Sequence, residues 1–324
     1  MKKNIIVLIL LCLLLMGCNK DRISVPPSLK EQLIVSHIKE SKISFVNLKN
    51  NEITTNDLDY RITAMQKLDK NKVVISGENE EYLYSLDLIN GQLKKIFEVG
   101  KGVKDLLYLP EDNLLIFANS INNSIGFINL NNNKIMAEVS VGNLPISMAY
   151  NPKKEILYVL NAKDSTISVI DIDLKKELNK FSIVERPNGI FFDGRYVWVG
   201  GHGSYGTLNK DVYVYDPERG EEIDRVEVGT MPVDFYGDNT SPYIYVICHG
   251  SNNVFRINKE DRTVKSSIEV GSNPYDIIGD TQNIYVSSID GNSLSVIDKS
   301  TFNIERNIGL DNGPYLMILG EANE

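Results

Sequence analysis

The sequence predicts an all-β protein, a seven-bladed β-propeller of four-stranded antiparallel blades whose first blade is closed by the C-terminal strand. Three observations carry this prediction. A unit of about 42 residues recurs along the 324-residue chain. Each unit holds short runs rich in Val, Ile, Tyr and Phe and no helical run, the composition that suits a pleated, half-buried surface. The first unit also lacks its opening strand, while the chain finishes on a strand without a partner.

The repeat is read from three landmarks. An Asx residue stands at Asn47, Asp87, Asn129, Asp171, Asp216, Asn258 and Asp298, each opening a short polar turn. Asp and Asn favour that place because their side chains bond the backbone two residues on. Thirteen residues upstream lies a second-strand position: Ile34, Val74, Ile116, Tyr158, Tyr245 and Tyr285. Trp198 fills the same place eighteen residues before Asp216, so the fifth unit carries five extra residues. The third landmark is a residue that starts each inner strand: Pro145, Pro187, Pro232, Pro274 and Pro314, with Val103 in that role in the third unit. The run Glu155 to Leu160 is almost wholly apolar, which predicts a strand covered on both faces. Four-stranded units that cover one another on both faces are propeller blades.

Tyr158-Val159-Leu160-Asn161, the preceding Pro145 and the run TISVID resemble the YVTN-type β-propeller repeat. The resemblance covers Gln32 to Leu319, and the first two units match it least. It implies the fold and leaves the activity open, because that family holds enzymes, enzyme subunits and binding proteins.

The ends predict how the ring shuts. The first unit begins at QLIVSHI, a second-strand sequence, and the chain ends in GPYLMILG. Pro314 to Leu319 is expected as the inner strand of the first blade, which removes two open sheet edges.

Ahead of the repeats, Met1 to Asn4 is a basic start and Ile5 to Met16 an apolar run of twelve residues. Twelve is short of the roughly 20 needed to span a bilayer and fits a secretory signal. Leu15-Met16-Gly17-Cys18 resembles the lipobox of bacterial lipoproteins. That resemblance implies a signal peptide over 1–17, acylation of Cys18, and a mature protein lipid-anchored on the extracytoplasmic side of the cell membrane. Residues 18–30, with two prolines and few apolar groups, read as the lipidated cysteine and a flexible tether, and 31–324 as one seven-bladed propeller domain. With Cys12 removed and Cys18 acylated, Cys248 has no intramolecular disulfide partner.

Composition and motifs exclude several classes. The net charge is −9 and the mature part has no basic run, which argues against a nucleic-acid groove. No cofactor is expected: there is no C-x-x-C-H haem motif, and Trp198 is the single tryptophan. Neither G-x-S-x-G nor H-E-x-x-H occurs. Gly201, Gly203 and Gly206 spell G-x-G-x-x-G, but a strand follows them where a dinucleotide site needs a helix. Cys248 reads as a small buried filler.

In a blade, the loop before the inner strand and the loop between the second and third strands emerge on one face, here called the upper face. His202 and His249 occupy equivalent places there in adjacent blades, and His37 lies one place earlier in the first. They read either as exposed loop histidines or as ligand contacts. Sheets pack about 10 Å apart, so a shared metal would need both loops to lean inward and a third ligand; no metal site is assigned. Asp105, Asp234 and Asp276 stand two places after their inner-strand starts. They either cap their own turns or gather at the channel mouth. Arg186, Asn188 and Tyr275 lie beside them, while Phe191, Phe192 and Phe235 are expected between blades.

The expected function is a membrane-anchored, non-catalytic binding or scaffold module. Its ligand would be a small molecule, peptide or envelope protein held by His202, His249, Asp105, Asp234, Asp276, Arg186 and Tyr275. The alternatives are a lactonase-like hydrolase using the channel mouth and an accessory subunit of an envelope redox complex.

Overall fold

Seven four-stranded sheets, all with antiparallel neighbours, make up the computed structural model, which describes residues 21–238 and 241–320. No helix occurs among the described residues, so none is long and apolar enough to cross a membrane. The expected signal peptide and Cys18 lie outside the described residues.

The first blade is built from β1 (Gln32–His37), β2 (Lys42–Asn47) and β3 (Ile53–Asp57), with β28 (Pro314–Leu319) as its inner strand. Leu33 pairs with Leu319, Ile34 with Ile318 and Val35 with Met317, so the tail closes the ring as the sequence predicts. The second blade, β4 to β7 (Ile62–Asp69, Lys72–Gly77, Tyr82–Asp87, Leu93–Glu98), is complete although its sequence has drifted. The third, β8 to β11, runs Val103–Leu109, Leu114–Asn119, Ser124–Asn129 and Lys134–Ser140. The fourth, β12 to β15, runs Pro145–Asn151, Ile156–Asn161, Thr166–Asp171 and Lys176–Ser182. The fifth, β16 to β19, runs Pro187–Phe192, Val197–Gly201, Asp211–Asp216 and Glu221–Glu227. The sixth, β20 to β23, runs Pro232–Gly237, Tyr243–Cys248, Asn253–Asn258 and Val264–Glu269. The seventh, β24 to β27, runs Pro274–Gly279, Asn283–Ser288, Ser293–Asp298 and Asn303–Gly309.

Each landmark has a physical cause. The seven Asx residues end the third strands, and their side-chain oxygens accept backbone N–H groups of the following turn, as Asp87 does from Ile89 and Asn90. The residue four places on turns into the left-handed region in all seven turns, from Asn51 and Gly91 to Arg262 and Phe302. Second-strand aromatics are buried, and their polar ends reach back to the hairpin turn ahead of them. Trp198 donates to Asp193 at 2.7 Å and Tyr285 to Asp280 at 2.9 Å, the partner a buried polar tip requires.

The core is seven apolar layers, one between each pair of neighbouring blades. Trp198, Val212, Phe235, Val246 and Cys248 fill the layer between blades five and six. Leu33, Val35, Leu294 and Met317 fill the layer that joins blade seven to blade one. Second strands β1, β9 and β13 are buried along their whole length, because each is covered on both faces. Outer strands such as β11 alternate between exposed and half-buried positions and carry charge, which blunts their open edges. Inner strands line the central channel, and every one carries a β-bulge near its start.

The described part of the expected tether is laid against the ring. Ile23 donates its N–H to Gly91 at 2.9 Å, and Leu93 donates to Asp21 at 2.7 Å. Ile23 and Leu29 are buried, Ile23 in the layer between blades one and two. The chain thus enters along the face that carries the Asx turns, opposite the upper face.

Candidate functional site

One backbone device organises the upper face. The residue just after each second strand donates its N–H to the carbonyl of the residue just before the same blade's inner strand. The pairs are Ile38 to Gly313, Glu78 to Arg61, Ser120 to Gly102, Ala162 to Leu144, His202 to Arg186, His249 to Met231 and Ile289 to Asn273. Their distances run from 2.7 to 3.0 Å. Six of the seven acceptors have positive φ. Glycine and asparagine tolerate that region readily, whereas Leu144, Arg186 and Met231 adopt it at a cost of order 1–3 kcal/mol each.

His202 and His249 follow from this device. Their ring centroids lie 4.9 Å apart with planes inclined at 54°, closer than the spacing of facing sheets leads one to expect. The cause is missing side chains at the blade boundary. A Cβ on Gly200 would stand 2.4 Å from the Pro232 carbonyl oxygen, and one on Gly189 2.2 Å from that of Val233. Only glycine lets the two backbones approach so closely.

The five-residue insertion of blade five completes the mouth. Asn209 is buried and ties the loop together: its side chain donates to Gly201 and Asp211, and its carbonyl accepts the Met231 N–H at 2.7 Å. Gly203 and Gly206 turn with positive φ inside this loop, which contains no helix. At its tip Tyr205 is 95% exposed, with the Arg186 guanidinium 5.2 Å from its ring centre. Met231 Sδ lies 3.2 Å from His249 Nε2. Burial lowers the His202 pKa, assisted by the Arg186 charge. Burial and then His202 bring that of His249 down to about 4. Both imidazoles are therefore neutral at pH 7.

The acidic residues form a separate group within the channel. Asp105 accepts the Leu106 N–H at 2.8 Å and the Met148 N–H of the next blade at 2.7 Å. Asp234 accepts from Ile277 at 3.2 Å, and Asp276 from Met317 at 2.6 Å, each again one blade on. Instead of capping only their own turns, these carboxylates tie successive inner strands together. Asp234 and Asp276 also share a side-chain hydrogen bond. They are half-buried along the channel, and desolvation by the surrounding protein drives all three carboxyl groups upward, Asp105 to about 7. Tyr275 packs against Tyr315 with ring centres 4.4 Å apart and planes inclined at 35°, and the Tyr315 hydroxyl donates to that of Tyr275 at 3.0 Å.

The residues singled out in the sequence thus fall into two groups: Arg186, His202 and His249 at the mouth, and Asp105, Asp234, Asp276 and Tyr275 in the channel. His37 belongs to neither; it is buried inside blade one, with Nε2 2.8 Å from Ser44 Oγ. Cys248 is buried in the layer between blades five and six, where desolvation pushes its thiol up to about 12. Sequence reasoning missed Met231 and Tyr315. Met231 had one available signal: it precedes Pro232 as Arg186 precedes Pro187.

No protein-family profile and no curated protein matches the chain. Solved structures do match it. A functionally unknown protein from Desulfotomaculum acetoxidans superposes with TM-score 0.73 at 15% identity, over 90% of this chain and 100% of that one. The dihydro-heme d1 dehydrogenase NirN, in complex with DHE, gives 0.67 at 11% identity over 92% and 77%. Apo AztD from Citrobacter koseri gives 0.60 at 11% identity over 88% and 96%. Hydrazine synthase of Kuenenia stuttgartiensis gives 0.54 at 22% identity; the match covers 61% of this chain and 64% of that one. At these identities the likeness shows a β-propeller and nothing of activity.

Proposed function

We propose that this chain is a lipid-anchored, extracytoplasmic propeller that acts as a non-catalytic binding module and receives its ligand at the upper mouth. The observation that carries the reading is the convergence of Arg186, Tyr205, Met231, His202 and His249 on one boundary between two blades. Strained backbone at Arg186 and Met231 holds that convergence in place.

The path of the chain supports the anchor. Asp21 is fixed to the face opposite the mouth, and an extended chain from Cys18 to Asp21 spans at most about 10 Å. Acyl chains on Cys18 would hold that face near the bilayer and turn the mouth away from it. The hydrolase reading asks Asp105, Asp234 and Asp276 to serve as acid or base. Their engagement by backbone amides of neighbouring blades favours a structural role instead.

Two measurements test the proposal. Mass spectrometry of the mature N-terminus should find a diacylglyceryl-modified Cys18. Thermal-shift screening against metals and metabolites should find a stabilising ligand whose effect Arg186→Ala and Tyr205→Ala weaken. Turnover on an ester and lactone panel, abolished by His249→Ala, would replace binding with hydrolysis.

A further inference from the structure

We propose that His202, His249 and Met231 form a binding site for a soft monovalent metal ion, copper(I). The proposal rests on the upper mouth being the binding face and names what one part of it holds.

Two observations converge. First, the donor set is assembled without a ligand: two imidazoles with centroids 4.9 Å apart and a thioether sulfur 3.2 Å from His249 Nε2. An imidazole bound through one nitrogen at about 2.0–2.1 Å places its ring centre about 3 Å from the ion. Two centres 4.9 Å apart can therefore face one ion at an angle of about 110°. Second, the His249 ring lacks the partners of a structural histidine. Its Nδ1 is buried without a hydrogen bond, and Nε2 meets only the weak acceptor sulfur. Buried polar groups are ordinarily satisfied, so an exception asks for a cause.

The chemistry selects the ion. Thioether and imidazole donors suit copper(I), whereas magnesium and calcium require oxygen. The charge that acts on the His202 ring is the Arg186 guanidinium. A guanidinium beside a neutral donor set opposes zinc(II) more strongly than a single positive charge. Binding would displace only the contact between Nε2 and sulfur.

The test is anaerobic competition of the full chain in detergent against the chromophoric chelator bicinchoninate loaded with copper(I). The chain should remove one equivalent and show a sulfur neighbour by X-ray absorption. Met231→Leu, of nearly equal volume, should weaken binding at least tenfold and lose the sulfur signal. His202→Gln and His249→Asn should weaken it further, and Cys248→Ser should leave it intact. Trp198 fluorescence reports that each variant is folded. Failure of the folded wild type to compete, equal binding by Met231→Leu, or loss on Cys248→Ser would overturn the site. If copper(I) fails while Arg186→Ala still abolishes a thermal shift from an organic ligand, the metal site falls and the binding face stands. If neither copper(I) nor any organic ligand binds, both fall.

Discussion

The imidazole rings of His202 and His249 meet at 4.9 Å because Gly200 lets the Pro232 carbonyl come where a Cβ would stand at 2.4 Å. The pair is a product of backbone packing between blades five and six. Gly200→Ala should therefore force the blades apart. Overpacking of this kind costs about 1–3 kcal/mol, and the same displacement should separate the rings. Denaturant unfolding followed by Trp198, buried two residues away in the same strand, measures the first effect. Histidine ring shifts by NMR measure the second. Wild-type stability with unchanged ring shifts would contradict the packing argument.

Closure of the ring gives the second prediction. A chain stopped at Gly313 loses β28, leaving Leu33, Ile34 and Val35 without their inner-strand partners. It also deprives Asp276 of the Met317 N–H. Blade seven and blade one then face each other without a seal. Calorimetry should show a broad, low-temperature transition in place of one cooperative peak. A truncated chain that melts like the full one would show that β28 contributes nothing to closure.

The third prediction concerns pH. Burial raises the carboxyl groups of Asp105, Asp234 and Asp276 above their ordinary range; within the pair the Asp234 charge raises Asp276 further, while the hydrogen bond with Asp276 offsets part of the rise of Asp234. A carboxyl raised in the fold contributes stability that is present in full below its unfolded pKa of about 4 and is lost as pH rises through its folded value. His249, lowered to about 4, acts in the other direction: its contribution is present above about pH 6.5 and lost as pH falls toward 4. Melting temperature should fall from about pH 4 to about 7 as the carboxyls ionise, His249 offsetting part of this alkaline limb below about pH 6.5. Asp276→Asn keeps an acceptor for Met317 but cannot ionise. It should flatten the alkaline limb and raise the melting temperature at pH 8; an unchanged alkaline limb would refute the assignment.

The fold was legible because each landmark reports a local constraint. Asx at the third-strand end, an aromatic in the buried second strand and proline at the inner-strand start are choices a single blade makes by itself. The drifted second blade folds all the same: Ile62 replaces the proline, and its bulge and pairing are kept. The site was legible only by parts. His202 and His249 were visible as equivalent positions, but their approach depends on side chains that are absent, at Gly189 and Gly200, which no spacing reveals. Likewise the carboxylates were visible at one register, while their partners are amides about 40 residues further on, set by how one blade docks on the next. Met231 went unnoticed because its placement comes from a backbone bond to Asn209 in a loop of the preceding blade.

The central claim, that the mouth bearing His202 and His249 is the binding face, is tested most directly by site-specific photo-crosslinking in living cells. A photoreactive aromatic residue replaces Tyr205, 95% exposed at the mouth, or Leu174, 69% exposed in an Asx turn on the opposite face. Illumination should produce a protein or small-molecule adduct from position 205, lost when Arg186→Ala is added, and none from position 174. Adducts from position 174 with none from position 205 would place the binding face on the other side of the ring and contradict the account.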